Sequence, residues 1–208
     1  MKLYLSSFKI GDHPKKMLFS TANDKVAVVQ NALDCFSNAS KRASHLEREF
    51  AELRAIGLVP TELDLREYFS NESALHRVLE GFSYLWVVGG NTFVLRRAFR
   101  QNGLDKIILE RAKDDSFVYG GYSAGACVIS PSLKGIHLID EPEIIPEGYA
   151  NETLWVGLNL YPFCIAPHYN SDHPESAGIE KTVRYYIENK VPFVAIRDGE
   201  AITYNTLE

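Results

Sequence analysis

Ser123 lies in Gly121-Tyr122-Ser123-Ala124-Gly125, a G-x-S-x-G pattern with the apolar run Phe117-Val118-Tyr119 before it and Cys127-Val128-Ile129 after it. A strand, a sharp turn and a helix at this spacing would lift the hydroxyl clear of the sheet edge. The flanking glycines are needed because a Cβ there would strike the neighbouring strand or helix. The chemistry this suits is acyl transfer by a serine nucleophile. The backbone N–H of Ala124, opening the helix, would point to where an oxyanion forms. A tight glycine turn with an incidental serine is the plain alternative, and the strand and helix flanks weigh against it.

A free hydroxyl is a poor nucleophile at neutral pH, so an imidazole must accept its proton. Of the six histidines, His13 and His45 lie in polar or amphipathic segments far upstream, His76 mid-helix, and His137 in an irregular stretch. His168 is the expected base. The apolar run Leu160-Tyr161-Pro162-Phe163-Cys164-Ile165 delivers it, and catalytic groups gather beyond the carboxyl ends of strands in α/β sheets. His173, in a proline-containing loop, is the rival. The third member should be a carboxylate that holds the imidazole in one tautomer. Asp140, in Ile139-Asp140-Glu141-Pro142, and Asp198, in Ile196-Arg197-Asp198-Gly199, are the candidates, and either could be a solvated loop residue.

A second glycine pair, in Val87-Val88-Gly89-Gly90-Asn91-Thr92, ends another buried strand. It matches neither GxGxxG nor a GK[ST] phosphate loop. The N–H of Gly90 could supply a second oxyanion donor, and Asn91 beside it is a weaker candidate for touching substrate. A plain strand-to-helix turn explains the same spacing equally well.

These groups need a scaffold. Strands are expected at Leu3–Leu5, Lys25–Val29, Val59–Leu65, Tyr84–Val88, Phe117–Tyr119, Leu158–Ile165 and Pro192–Ile196. Ala201–Tyr204 is expected to pair with the last of these as a hairpin. Helices are expected at Ala43–Ile56, Ser73–Leu79, Thr92–Arg100, Leu104–Ala112 and Ala177–Asn189. Strands that are apolar throughout, alternating with helices, imply a mostly parallel central sheet covered on both faces, an α/β/α arrangement. The 208 residues suit a single α/β domain, 1–208.

Composition excludes several function classes. The net charge of −5, without a basic stripe, argues against nucleic acid as a partner. No apolar stretch is long enough to span a bilayer, and the N-terminal segment does not read as a signal peptide. Cys35, Cys127 and Cys164 form neither a CxxC metal site nor a disulfide framework, which suggests a cytoplasmic protein without metal or cofactor. A homodimer is left open.

Three segments together resemble the aspartyl dipeptidase (dipeptidase E) family of serine peptidases, with cyanophycinases as more distant relatives. They are Val87-Val88-Gly89-Gly90-Asn91-Thr92-Phe93, Gly121-Tyr122-Ser123-Ala124-Gly125-Ala126 and Pro162-Phe163-Cys164-Ile165-Ala166-Pro167-His168-Tyr169. The resemblance implies a fold like that of class I glutamine amidotransferases, with Ser123 as nucleophile and His168 as base. It implies cleavage of short peptides with a preferred N-terminal aspartate. The family's Asn-Asp-x-Pro element favours Asp140, while its glutamate-glycine pair near the end keeps Asp198 as the alternate acid. Where the family carries Gly-Glu-Thr-Arg, this chain reads Gly178-Ile179-Glu180-Lys181-Thr182-Val183-Arg184, in which Lys181 and Arg184 could grip an acidic side chain or equally be solvated helix residues. Rival functions are an esterase or amidase on the same elbow, or a catalytically silent binding module.

Overall fold

The computed structural model describes residues 1–36 and 39–207. Strand β1 (Lys2–Ser6) is followed by β2 (Lys25–Val29), helix α1 (Ala39–Ala55), β3 (Val59–Glu62), α2 (Glu72–Leu79) and β4 (Tyr84–Val87). Next come α3 (Thr92–Asn102), α4 (Leu104–Arg111), β5 (Val118–Tyr122) and the short helix α5 (Ala124–Cys127). The last elements are β6 (Cys164–Ala166), α6 (Ser176–Glu188), β7 (Phe193–Ala195) and β8 (Ala201–Asn205). Six strands form one sheet in the order β3-β2-β4-β5-β1-β8. All neighbours are parallel except β8, which closes the β1 edge antiparallel.

Successive side chains of a strand point to opposite faces, so each buried strand feeds two cores. Leu3, Leu5, Val29, Leu85, Val87 and Tyr119 pack with Val94, Leu95 and Phe99 of α3 and Ile107 and Ile108 of α4. Tyr4, Val26, Val28, Tyr84, Trp86 and Val118 face the other way, onto Leu53 of α1 with Leu46 and Phe50 against them. Burial of each such side chain contributes about 1.5–3 kcal/mol, and this burial holds helices on both faces. The result is the three-layer α/β/α arrangement with a mostly parallel sheet. A separate parallel pair, β6 and β7, carries α6 through contacts of Cys164 and Ala166 with Ile179 and Tyr186.

Two expected elements differ. The apolar run from Leu158 becomes strand only at Cys164–Ala166. Upstream, the N–H groups of Leu158 and Leu160 donate to the carbonyls of Val128 and Ile129, so the backbone there is committed to the segment after α5. Ala201–Asn205 does not form a hairpin with β7. It pairs with β1, Leu5 opposite Ile202, because β7 belongs to the small sheet and the β1 edge is otherwise uncovered.

A buried carboxylate ties α1 to the sheet. Glu49, 1% exposed, accepts from Trp86 Nε1 at 2.8 Å, Tyr122 OH at 3.1 Å and Arg48 Nη2 at 2.8 Å. Glu49→Ala strands two buried donors and the Arg48 cation. We expect a loss of roughly 3–5 kcal/mol in urea unfolding at unchanged slope. A loss below about 1 kcal/mol would remove Glu49 from this role.

Candidate active site

The carboxyl ends of the parallel strands β1, β4 and β5 converge on one rim. There β5 gives way to Ser123, whose φ of 48° and ψ of −114° put a non-glycine residue in strained backbone ahead of α5. Such a conformation costs on the order of 1–3 kcal/mol and persists only where the surroundings over-determine it. A Cβ on Gly125 would stand 2.2 Å from the Val87 carbonyl oxygen, and one on Gly121 would stand 2.9 Å from the Gly125 backbone. The bend can therefore press against β4 only with glycine at both positions. The Ser123 N–H donates to the carbonyl of Ser7 at 3.1 Å, which ties the bend to the end of β1.

His168 follows β6 after Pro167 and also has a positive φ, 58°. Its side chain is 1% exposed, with Nδ1 2.7 Å from Asp198 Oδ1. A carboxylate only accepts, so the ring proton sits on Nδ1 and Nε2 is left as the acceptor. Burial holds the imidazole below its usual pKa, and the Asp198 hydrogen bond only partly offsets this. Asp198 Oδ1 also accepts from the Ser7 hydroxyl at 2.7 Å, and Asp198 N–H donates to Ser171 Oγ at 2.9 Å. The rings of His168 and His173 stack at 3.7 Å with planes 6° apart. Phe8 meets both rings edge-on.

Ser123 and His168 line one pocket of about 120 Å³, together with Gly89, Gly90, Arg48 and Glu175. Among the described residues no hydrogen bond joins Ser123 Oγ to His168. Such contacts are commonly long without substrate and tighten around it. Arg48 reaches the pocket from α1, its Nη2 held by Glu49 and Tyr122, while its Nε has no partner among the described residues. Glu175 Oε2 lies 3.8 Å from His168 Nε2. A hydroxyl, an imidazole oriented by a carboxylate and both signs of charge in so small a space suit acyl transfer on a short, charged substrate.

The other expected residues are engaged elsewhere. Asp140 does not contact His168. It is buried, and Oδ2 accepts from the N–H of Thr92 at 2.8 Å, at the start of α3. Burial pushes this carboxyl up to about 7, against the Thr92 hydrogen bond. Asn91 is spent on capping: Oδ1 accepts from Phe93 N and Val94 N, and Nδ2 donates to the Glu141 carbonyl. Lys181 and Arg184 are exposed on α6 and do not line the pocket. Ala124 is buried behind the elbow, as the first residue of α5. Ser7, Arg48 and Glu175 at this site are not among the residues expected from sequence. Only Ser7 carried a signal, its place just past an apolar strand.

His168, His173 and Asp198 bring ligand atoms within 4.8 Å of one another. The rings nevertheless stack with planes 6° apart, so their in-plane lone pairs lie in separate, near-parallel planes. A metal ion needs about 2.0–2.1 Å along each of them, so these histidines would have to reorient to share one.

The comparisons with known proteins agree with this architecture. Peptidase family S51 matches residues 16–207. An uncharacterized peptidase of Listeria innocua is 32% identical over 159 residues, covering 73% of this chain and 72% of that one. Peptidase E of Streptomyces coelicolor is 31% identical over 147 residues, covering 68% of this chain and 56% of the relative. The crystal structure of a candidate peptidase E protein from Listeria monocytogenes EGD-e superposes with a TM-score of 0.76 at 26% identity, covering 98% of each chain. With the family spanning nearly the whole sequence and the fold shared end to end, the chain belongs to peptidase family S51.

Proposed function

We propose that this peptidase is a serine-type exopeptidase of short peptides, acting through one domain, with Ser123 as nucleophile, His168 as base and Asp198 as the acid. The observation that carries the reading is the 2.7 Å contact of His168 Nδ1 with Asp198, which leaves Nε2 as the acceptor of an imidazole that lines the Ser123 pocket. It supports Asp198 over Asp140.

In the reaction, His168 Nε2 takes the Ser123 hydroxyl proton as Oγ attacks the scissile carbonyl. The carbonyl π electrons move onto oxygen, which the N–H groups of Ala124 and Gly90 stabilise. The imidazolium, held by Asp198, passes its proton to the leaving amine as the C–N bond breaks. Water, deprotonated by the same imidazole, then hydrolyses the acyl-enzyme and restores Ser123. A base held below its usual pKa stays neutral under mildly acidic conditions. The acidic limb of kcat/KM is therefore expected to have its midpoint below the free-imidazole value of about 6.5.

Arg48 and Glu175 face the same small space, so the pocket suits a substrate carrying both charges. We assign Arg48 to the side-chain carboxylate of an N-terminal aspartate and Glu175 to the free ammonium. Arg48→Lys keeps the charge beside Glu49 but loses the guanidinium fork. It is expected to raise KM for Asp-Leu about tenfold with little change in kcat, and to narrow the gap between Asp-Leu and Asn-Leu. Substitution of Lys181 or Arg184 should leave both constants within about twofold, as for solvated surface charges. An unchanged Asp-Leu to Asn-Leu ratio in Arg48→Lys would refute the assignment. The function itself is tested by a dipeptide panel set against p-nitrophenyl acetate; turnover of the ester alone would replace peptidase with esterase.

A further inference from the structure

Ser7 is absent from the expected site, yet it binds all three groups that the proposed reaction uses. We infer that Ser7 is the positioning residue of this site, and that its hydroxyl sets the Asp198–His168 pair in register with the Ser123 elbow. The inference rests on the proposed triad.

Ser7 is fully buried, one residue beyond β1. Its carbonyl accepts from Ser123 N–H at 3.1 Å, and its own N–H donates to the Glu200 carbonyl at 3.1 Å, two residues past Asp198. Its Oγ lies 2.7 Å from Asp198 Oδ1 and 2.7 Å from His168 N. The directions follow from chemistry. A carboxylate cannot donate, so the hydroxyl proton goes to Asp198, and a lone pair is left to accept from the His168 amide.

One oxygen therefore ties the backbone of the base to the side chain of the acid, while the same residue's carbonyl holds the nucleophile's backbone. His168 follows β6 and Asp198 follows β7, the paired strands of the small sheet. Their ladder continues through Ile196 N–H to the Ala166 carbonyl and Tyr169 N–H to the Ile196 carbonyl, whereas the Ser123 elbow follows β5 in the main sheet. The β6–β7 pairing sets the base beside the acid, but their position relative to the nucleophile depends on what joins the two sheets, and Ser7 does so from the end of β1. The positive φ of His168 is consistent with its amide being pulled toward this oxygen. The adjacent Phe8 then packs edge-on against His168 and His173, so the same short segment sets both the height and the tilt of the ring.

The test uses the full chain with Ser7→Ala, Ser7→Thr and Ser7→Val. Thr and Val have the same shape and differ only in the hydroxyl. Three quantities are read: the rate and final stoichiometry of labelling by a fluorophosphonate, the kcat and KM for Asp-Leu, and the downfield proton resonance of the His168 Nδ1–H. Expected for Ala and Val is labelling to one probe per chain at a rate at least tenfold slower. The fall should lie in kcat with KM within about threefold, and the Nδ1–H resonance should be broadened or lost. Ser7→Thr should exceed Ser7→Val by at least tenfold in labelling rate and keep the resonance. Wild-type labelling rates and an intact resonance in Ala and Val would overturn the proposal. So would unfolding of both Ala and Val while Thr folds, since Ser7 would then determine the fold and not the register. If the wild type itself is not labelled, the triad reading fails; the resonance in the four proteins still reports whether Ser7 holds the His168–Asp198 pair.

Discussion

Ser123→Ala is expected to abolish peptidase turnover, with kcat falling about 10⁴- to 10⁶-fold while the fold survives. The size of the effect follows from what remains. Without Oγ no acyl-enzyme can form, and only binding and the oxyanion donors are left to act on water. The variant should fold because the Ser123 side chain caps nothing, whereas its backbone N–H and carbonyl hold the bend to Ser7 and to Ala126 and Cys127. Alanine at a φ of 48° bears much the same strain as serine, so the melting temperature should shift by no more than a few degrees. The measurement is dipeptide hydrolysis beside fluorophosphonate labelling. Wild type should label once per chain and the variant not at all. Retained turnover in Ser123→Ala would end the assignment.

The second large effect separates two aspartates. Asp198→Asn can present an N–H to His168 Nδ1, which moves the ring proton to Nε2 and leaves no acceptor for the serine proton. A loss of about 10⁴-fold in kcat is expected with little change in fold. Asp140→Asn, by contrast, should keep kcat within a few-fold, since its oxygen can still accept from Thr92 at the head of α3. Equal losses from the two substitutions would contradict the assignment of the acid.

Asp140→Asn should instead show in stability against pH. The folded carboxyl titrates near 7, above the ordinary value of 3.8, so folding takes up a proton between those limits. Wild-type stability from this group is therefore full below about pH 4 and declines as pH rises through 7, by a total on the order of a few kcal/mol. His168 acts in the opposite sense, because its depressed pKa removes stability as pH falls. Comparing Asp140→Asn with wild type cancels the His168 contribution. The variant should gain on wild type between about pH 4 and 7 in urea unfolding, and the difference should level off above that. A flat difference would show that Asp140 is not held protonated by burial.

Much of this protein is written in local pattern. The G-x-S-x-G bend follows from residue type alone, because any Cβ on Gly121 or Gly125 meets backbone at 2.9 Å or less. The alternation of apolar strands and helices likewise determines a covered parallel sheet, since only burial on both faces suits strands such as Tyr84–Val87. Delivery of His168 by an apolar strand was legible for the same reason. The partner carboxylate was not. Asp140 and Asp198 stand in equally plausible loops, and Asp198 meets His168 because β6 and β7 pair in parallel and end side by side, a long-range pairing with no local signature. The expected hairpin failed there, and the same departure brings Asp198 to Ser7. Arg48 replaced Lys181 and Arg184 at the pocket because helix orientation is set by tertiary packing: α1 lies against the sheet below the elbow, whereas α6 packs on the small sheet and turns its cations to solvent. Covalent neighbours decided the bend and the strands; contacts between distant segments decided what the bend faces.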